Sequence, residues 1–219
     1  MQDTLMGIGR PSGMMITWII IIVTCIFSIT AFNRRDIFDR WKFNPYIIIQ
    51  SKQWYRFFTY SLLHADWVHL TMNMFVLYSF GELVEIYMKY YFGIKGLMLY
   101  ALLYIGGVFL SVVPSFEKHK LHSWYNAVGA SGAVSAVVFS SIIIMPSMKM
   151  YLLFLPFPIS APIFGILYLI FSAYMARKAS DNIGHDAHFW GALFGALFTI
   201  ALKPALAISF YYQLLHSIF

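Results

Sequence analysis

Four polar side chains that could do chemistry together sit at the beginnings of three apolar segments: His69 and Asn73, Ser131, and His188. Hydroxyl, imidazole and carboxamide groups are costly in an apolar, water-poor medium, so each needs a reason to be there. As a set they supply a nucleophile, a base and an oxyanion site. Gly129-Ala130-Ser131-Gly132 opens its segment directly. The first turn of a helix offers N–H groups and a positive dipole end that stabilise a developing oxyanion. The flanking glycines let another backbone come close. Ser135, one turn later on the same face, is the competing nucleophile and lacks these features. On its own, a serine between glycines is a packing device. Its position at a helix start gives it the chemical reading.

His188 would, alone, be a hydrogen-bonded buried histidine. A neutral imidazole is also the usual activator of a serine, with a pKa suited to neutral pH. Gly191 and Gly195 follow it four residues apart, a close-packing face. Packed on the small residues after Ser131, that face brings His188 within reach of the hydroxyl. Asp186 falls in the preceding loop, so the expected arrangement is a Ser–His dyad without a buried acid. His69 and Asn73 share a helix face at i,i+4 and would act as donors to a carbonyl oxygen. Their bland alternative is an interhelical hydrogen-bond pair. His64 lies just above them as a support. The rival use of His64, His69, His185 and His188 is a Zn²⁺ site. No His-Glu-x-x-His pattern and no carboxylate at ligand spacing within a span accompany them, so neither metal nor cofactor is expected.

The elements that must hold these groups are membrane helices. Of the 219 residues, 60% are hydrophobic and 11% charged, and the mean hydropathy is +0.71. Soluble domains carry about 25% charged residues. One polytopic membrane domain over residues 1–219 is expected, with a short N-terminal segment 1–13. The net charge of +6 is concentrated around Arg34, Arg35, Arg40 and Lys42, where basic residues meet lipid headgroups. Nothing in the chain supports nucleic-acid binding. The single cysteine, Cys25, lies in the first span and excludes an intrachain disulfide.

Six spans can be drawn, at about Met14–Phe32, Asp66–Tyr87, Gly93–Val113, Asn126–Met145, Ser160–Arg177 and Ala187–Ile208. The third is expected to stop before Pro114, and the fifth to follow Leu155-Pro156-Phe157-Pro158. The first loop, about 33–65, is aromatic and basic and suits the interface. Spans two, four and six enter from one face, so their polar starts share a shallow depth. Counting Lys and Arg, the positive-inside rule puts that face on the cytoplasmic side.

These residues resemble the rhomboid family of intramembrane serine proteases. The resemblance runs from Trp54 to about Leu197. It rests on Arg56-Phe57-Phe58-Thr59, His64 with His69-x-x-x-Asn73, Gly81 with Glu85, Gly129-Ala130-Ser131-Gly132 and His188-x-x-Gly191-x-x-x-Gly195. It implies an all-α six-helix bundle with a half-embedded first loop and a water-filled cavity open to the extracytoplasmic face, against the charge count. In that picture Ser131 is the nucleophile and His188 the base. His69, Asn73 and the Ser131 N–H hold the oxyanion, and the Lys178–Ala187 loop caps the site. Transmembrane protein substrates would arrive laterally near span five, in a bilayer implied to be a bacterial inner membrane. One departure is Ser135, where many members carry an aromatic residue under the histidine; a Ser135 hydrogen bond or packing alone would then hold His188. The other readings of the chain are a non-catalytic rhomboid-like protein that binds membrane helices, and a histidine-lined metal or proton transporter.

Overall fold

A computed structural model describes residues 15–151, 157–178 and 184–218. The N-terminal segment, Leu155 with Pro156, and residues 179–183 of the expected cap loop lie outside the described residues.

Among the described residues there are ten α-helices and one two-stranded antiparallel ribbon. Helix α1 is Met15–Asn33. The first loop then folds into α2 (Arg35–Trp41), α3 (Pro45–Ser51), α4 (Arg56–Thr59) and a tight turn at Tyr60–Leu62. Helices α5 (Trp67–Phe92), α6 (Ile94–His119) and α7 (Ser131–Ile144) follow. The ribbon pairs β1 (Lys149–Met150) with β2 (Ile159–Ser160). Helices α8 (Ala161–Lys178), α9 (His185–Leu202) and α10 (Ala205–Ile218) complete the chain.

Helix α7 is the axis of the molecule. Every residue from Gly132 to Ile144 is buried, as a helix that is apolar all round requires. It is wrapped by α9, α6 and α5, with α1 on the outer side of α5. The outward faces remain apolar: Trp18, Ile22 and Ile26 on α1, Phe75 on α5, Met98 and Ile105 on α6, and Ile170 and Phe171 on α8 are all exposed. An apolar surface of that extent needs a non-aqueous neighbour. By length and apolar composition, α1 and α6 stand out among the described helices as spans, and α7 is a shorter apolar one. The helices that carry polar groups, α5 with Asn73 and Glu85 and α9 with Asp186 and His188, are less apolar for that reason.

Four boundaries differ from expectation. Helix α6 runs through Pro114 to His119. The ring removes one backbone donor, and neighbouring helices tolerate such a gap in membrane helices. Helix α7 starts at Ser131 instead of near Asn126, because residues before it are held by the first loop, as described below. Helix α9 starts at His185, which brings Asp186 into a helix turn, where it pairs with Lys118 at 3.3 Å. It ends at Leu202 instead of Ile208. Pro204 disfavours the helical conformation of the residue before it, and Lys203 is accordingly extended (φ −146°, ψ 84°).

Candidate active site

Ser131 is positioned from outside its own helix. Arg56, with 4% exposure, donates to the carbonyls of Asp39 (3.0 Å) and Lys42 (2.7 Å) and to Gln53 Oε1. That fixes the chain entering Phe43, which exchanges both backbone hydrogen bonds with Ala127 (2.9 and 3.0 Å). Asn44 caps α3 through the N–H of Ile47 and donates to Ser123 and Asn126. Two residues on, the Gly129 N–H donates to the Tyr60 carbonyl at 3.1 Å. The strap before Ser131 is thereby pinned at Ala127 and Gly129, and the chain turns into the helix at Ala130 (φ −75°, ψ −3°), so that the helix begins at Ser131. Gly129 has φ +119°, a conformation that side chains other than glycine's rarely adopt.

Close backbone packing sets the depth of the site. A Cβ at Gly191 would collide with the Gly132 carbonyl, and one at Gly195 with the Ala136 carbonyl. The two contacts advance by four residues on each helix, so α7 and α9 run parallel in register. A Cβ at Gly132 would meet the Ser111 hydroxyl of α6 and lie 3.3 Å from the Ala187 carbonyl. Ser131 and His188 each neighbour one partner of that last contact, and both are half-buried. Glycine at 132, 191 and 195 is thus a steric requirement of this approach, as the spacing predicted.

The imidazoles divide by role. His64 is fully buried, 4.9 Å from His69 ring to ring and nearly perpendicular to it. Ser28 Oγ donates its one hydrogen to the Leu62 carbonyl (2.7 Å) and lies 2.9 Å from His64 Nδ1. Nδ1 must then be the protonated nitrogen, and Nε2 accepts from the Ala130 N–H at 3.5 Å. Burial, with His69 beside it, pushes the His64 pKa down to about 3. It is a neutral support, unsuited to general-base work. The ring of His69 accepts the Ala65 N–H on Nδ1 at a long 3.5 Å, which leaves Nε2 as the donor. A Cβ on Gly129 would lie 2.9 Å from that Nε2, so the donor edge faces the Gly129–Gly132 segment. Asn73 donates one amide hydrogen to the His69 carbonyl at 2.9 Å, which keeps its side chain along α5. An amide has a second hydrogen to offer.

Residues without an expected role complete the site. Tyr60 donates to the Val108 carbonyl (2.7 Å) and lies 3.3 Å from Ser111 Oγ. Ser28 belongs to a buried stripe on α1 with Thr17, Ile21, Thr24 and Ala31. Its period of small and hydroxyl residues was visible in the sequence. Tyr168 of α8 lies 2.8 Å from Ser135 Oγ and faces the His188 ring; nothing local in the sequence points to it. Among the described residues, no group of three or more His, Cys, Asp or Glu side chains is arranged to hold a metal ion.

The Rhomboid domain matches residues 51–205, nearly the stretch carrying the motifs. The chain belongs to the rhomboid family. It is also 33% identical over 108 residues to the Rhomboid-like protein 11, chloroplastic, of Arabidopsis thaliana, which covers 47% of this chain and 33% of that protein. The matched stretch spans about a third of that relative's length. As a rhomboid the protein is an integral membrane protein, in keeping with its two long apolar helices and its apolar exterior. The similarity lends no support to a bacterial inner membrane in particular, since the relative is a chloroplast protein.

Proposed function

We propose that this rhomboid is an intramembrane serine endopeptidase, one domain over residues 1–219 with six spans, that cuts transmembrane protein substrates through an acyl-enzyme on Ser131. The observation that carries the reading is the meeting of α5, α6 and α9 on the Gly129–Gly132 segment, through His69, Ser111 and Gly191. Helix α7 has 14 residues, about 21 Å of rise against a hydrocarbon core of about 30 Å. A helix that short leaves one end sunk below the surface, and a hydroxyl there needs the hydrated cavity that hydrolysis also needs.

In the reaction, Ser131 Oγ attacks the substrate carbonyl carbon while His188 takes its proton. The carbonyl oxygen becomes an oxyanion facing the first turn of α7, whose N–H groups have no intrahelical acceptor. His69 Nε2–H and the second amide hydrogen of Asn73 are the side-chain donors. The C–N bond then breaks, with His188 returning the proton to the leaving amine. Water, deprotonated by His188, releases the acyl group and restores the hydroxyl.

Replacing Ser131 with Ala is expected to abolish cleavage of a membrane-anchored polypeptide in liposomes while the thermal midpoint stays put. The competing reading is a non-catalytic rhomboid-like binder of membrane helices, and the name of the Arabidopsis relative keeps it in view. A fluorophosphonate separates the two: covalent labelling at Ser131 supports the protease, and an unlabelled, folded protein supports the binder.

A further inference from the structure

Resting on the protease reading, one more residue bears on the base. Ser135 is buried on α7, one turn beyond Ser131, and its hydroxyl lies 2.8 Å from the Tyr168 hydroxyl of α8. The Tyr168 ring lies 6.5 Å from the His188 ring, centroid to centroid, with 28° between the planes. It also packs against Phe139 of α7 at 5.5 Å and Phe164 of its own helix at 5.9 Å. His185 presents itself to His188 at 5.9 Å and 80°. The base therefore has a near-parallel ring on one neighbour and a perpendicular ring on another.

A tyrosine ring has few rotatable bonds, and both its hydroxyl and its faces are engaged here. Its orientation is set by Ser135 and Phe139 of α7 together with Phe164 of its own helix. A contact at 6.5 Å is at the far end of the range for ring pairs, about 4.5–7 Å, too long to bind strongly but placed to limit tilt. We infer that Tyr168 is a positioning residue for His188: Ser135 on α7 orients the phenol ring on α8, and that ring limits the swing of the imidazole on α9. The alignment of the base then depends on the seating of α8. An imidazole free to tilt by about 1 Å at its reacting nitrogen loses up to about 10²-fold in rate.

The test is the rate of fluorophosphonate labelling of Ser131 at saturating reagent, on the full chain in liposomes of phosphatidylcholine and phosphatidylglycerol, which needs no natural substrate. Tyr168→Ala is expected to slow the saturated rate about 10–100-fold with little change in the half-saturating concentration. Tyr168→Phe keeps the ring and its packing on Phe139 but loses the hydroxyl link to Ser135, and is expected to react at a rate between those of Tyr168→Ala and the parent. Moving the ring to α7, as Ser135→Tyr in the Tyr168→Ala background, is expected to restore part of it. An unchanged saturated rate in Tyr168→Ala overturns the inference, as does a change confined to the half-saturating concentration, which would mark a reagent contact instead. Should Tyr168→Ala fail to fold, Tyr168→Leu fills the space without an aromatic face; equal rates for Leu and Phe variants overturn the inference, and a larger fall in Leu than in Phe supports it. A wild-type protein that is folded but unlabelled at Ser131 overturns the protease reading and this inference with it. Labelling that disappears in Ser131→Ala and is indifferent to Tyr168 overturns this inference alone.

Discussion

His64 and His69 are adjacent rings in opposite tautomers, and the difference comes from what each nitrogen meets. The hydrogen of Ser28 is spent on the Leu62 carbonyl, so His64 must donate from Nδ1 and stay neutral. Its pKa is held near 3 by burial against an ordinary 6.5. Below about pH 6.5 the unfolded chain takes up a proton that the folded one refuses, so stability falls on acidification until about pH 3. The slope is at most about 1.4 kcal/mol per pH unit. His64→Asn, which keeps a donor but does not titrate, is expected to flatten the dependence of the thermal midpoint between about pH 6.5 and pH 4. Asn73 acts at the same scale by another route. Asn73→Ala is expected to lower the maximal cleavage rate by about 10²–10³-fold, less than the complete loss in Ser131→Ala. An equal loss in both would mean that Asn73 holds the fold and not the oxyanion, a distinction the melting curves of the two variants would reveal.

At the scale of elements, two contacts decide how helices seat. The Glu85 carboxylate, 2% exposed on α5, accepts the N–H groups of Met15, Ile16 and Thr17 and the Thr17 hydroxyl, all between 2.7 and 2.9 Å. Donors that point away from the helix in this way belong to a first turn, and a negative charge there is favourable. Tyr100 of α6 joins through its hydroxyl at 2.9 Å from Thr17, so one acid ties three helices. Glu85→Ala should cost roughly 3 kcal/mol, read as a lower midpoint, with α1 more accessible to protease. Helix α9 is seated by contact instead. At Gly195 an added methyl meets the Ala136 carbonyl of α7, backbone against backbone, and neither can rotate away. Gly195→Ala is expected to cost about 1–3 kcal/mol and to slow labelling of Ser131, because the parallel register that levels His188 with Ser131 is lost. A variant as stable and as reactive as the parent would show that α7 and α9 can part without consequence.

Across the whole molecule, the first loop acts as a brace for the candidate active site. The path runs from Arg56 to the Lys42 carbonyl, across the Phe43–Ala127 bridge, and from Tyr60 to Gly129. Each link is a backbone or buried hydrogen bond, so little slack accumulates between a loop residue and the helix start at Ser131. Arg56→Ala, far along the chain from Ser131, is expected to lower both stability and labelling rate. Arg56→Lys should recover only part, since one ammonium cannot copy the planar fork whose Nη1 reaches two carbonyls while its Nε reaches Gln53. Stability lost with full reactivity retained would separate the brace from the site.

Much of this was legible in the residues themselves. Gly191 and Gly195 announce a close-packed face because only glycine survives backbone contact, whereas the helix start at Ser131 was only roughly legible, the apolar run pointing to Asn126 instead. Aromatic and basic residues between Asn33 and Ala65 suit an interface, since neither water nor lipid alone suits them, but nothing in them foretells the hydrogen bonds that tie this loop to the strap before Ser131. Less legible were the ends of elements. Pro114 failed to stop α6 because packing overrode a local preference, while Pro204 did stop α9. The sequence alone determined that an apolar bundle carries a hydroxyl, imidazoles and an amide at three helix starts, since composition and spacing are local properties. Only the tertiary structure decided that Ser28 sets the tautomer of His64, that Phe43 and Tyr60 fix where α7 begins, and that Tyr168 faces His188. Those are contacts between residues tens of positions apart, and a hydrogen bond or ring contact has no signature until folding brings its two halves within reach.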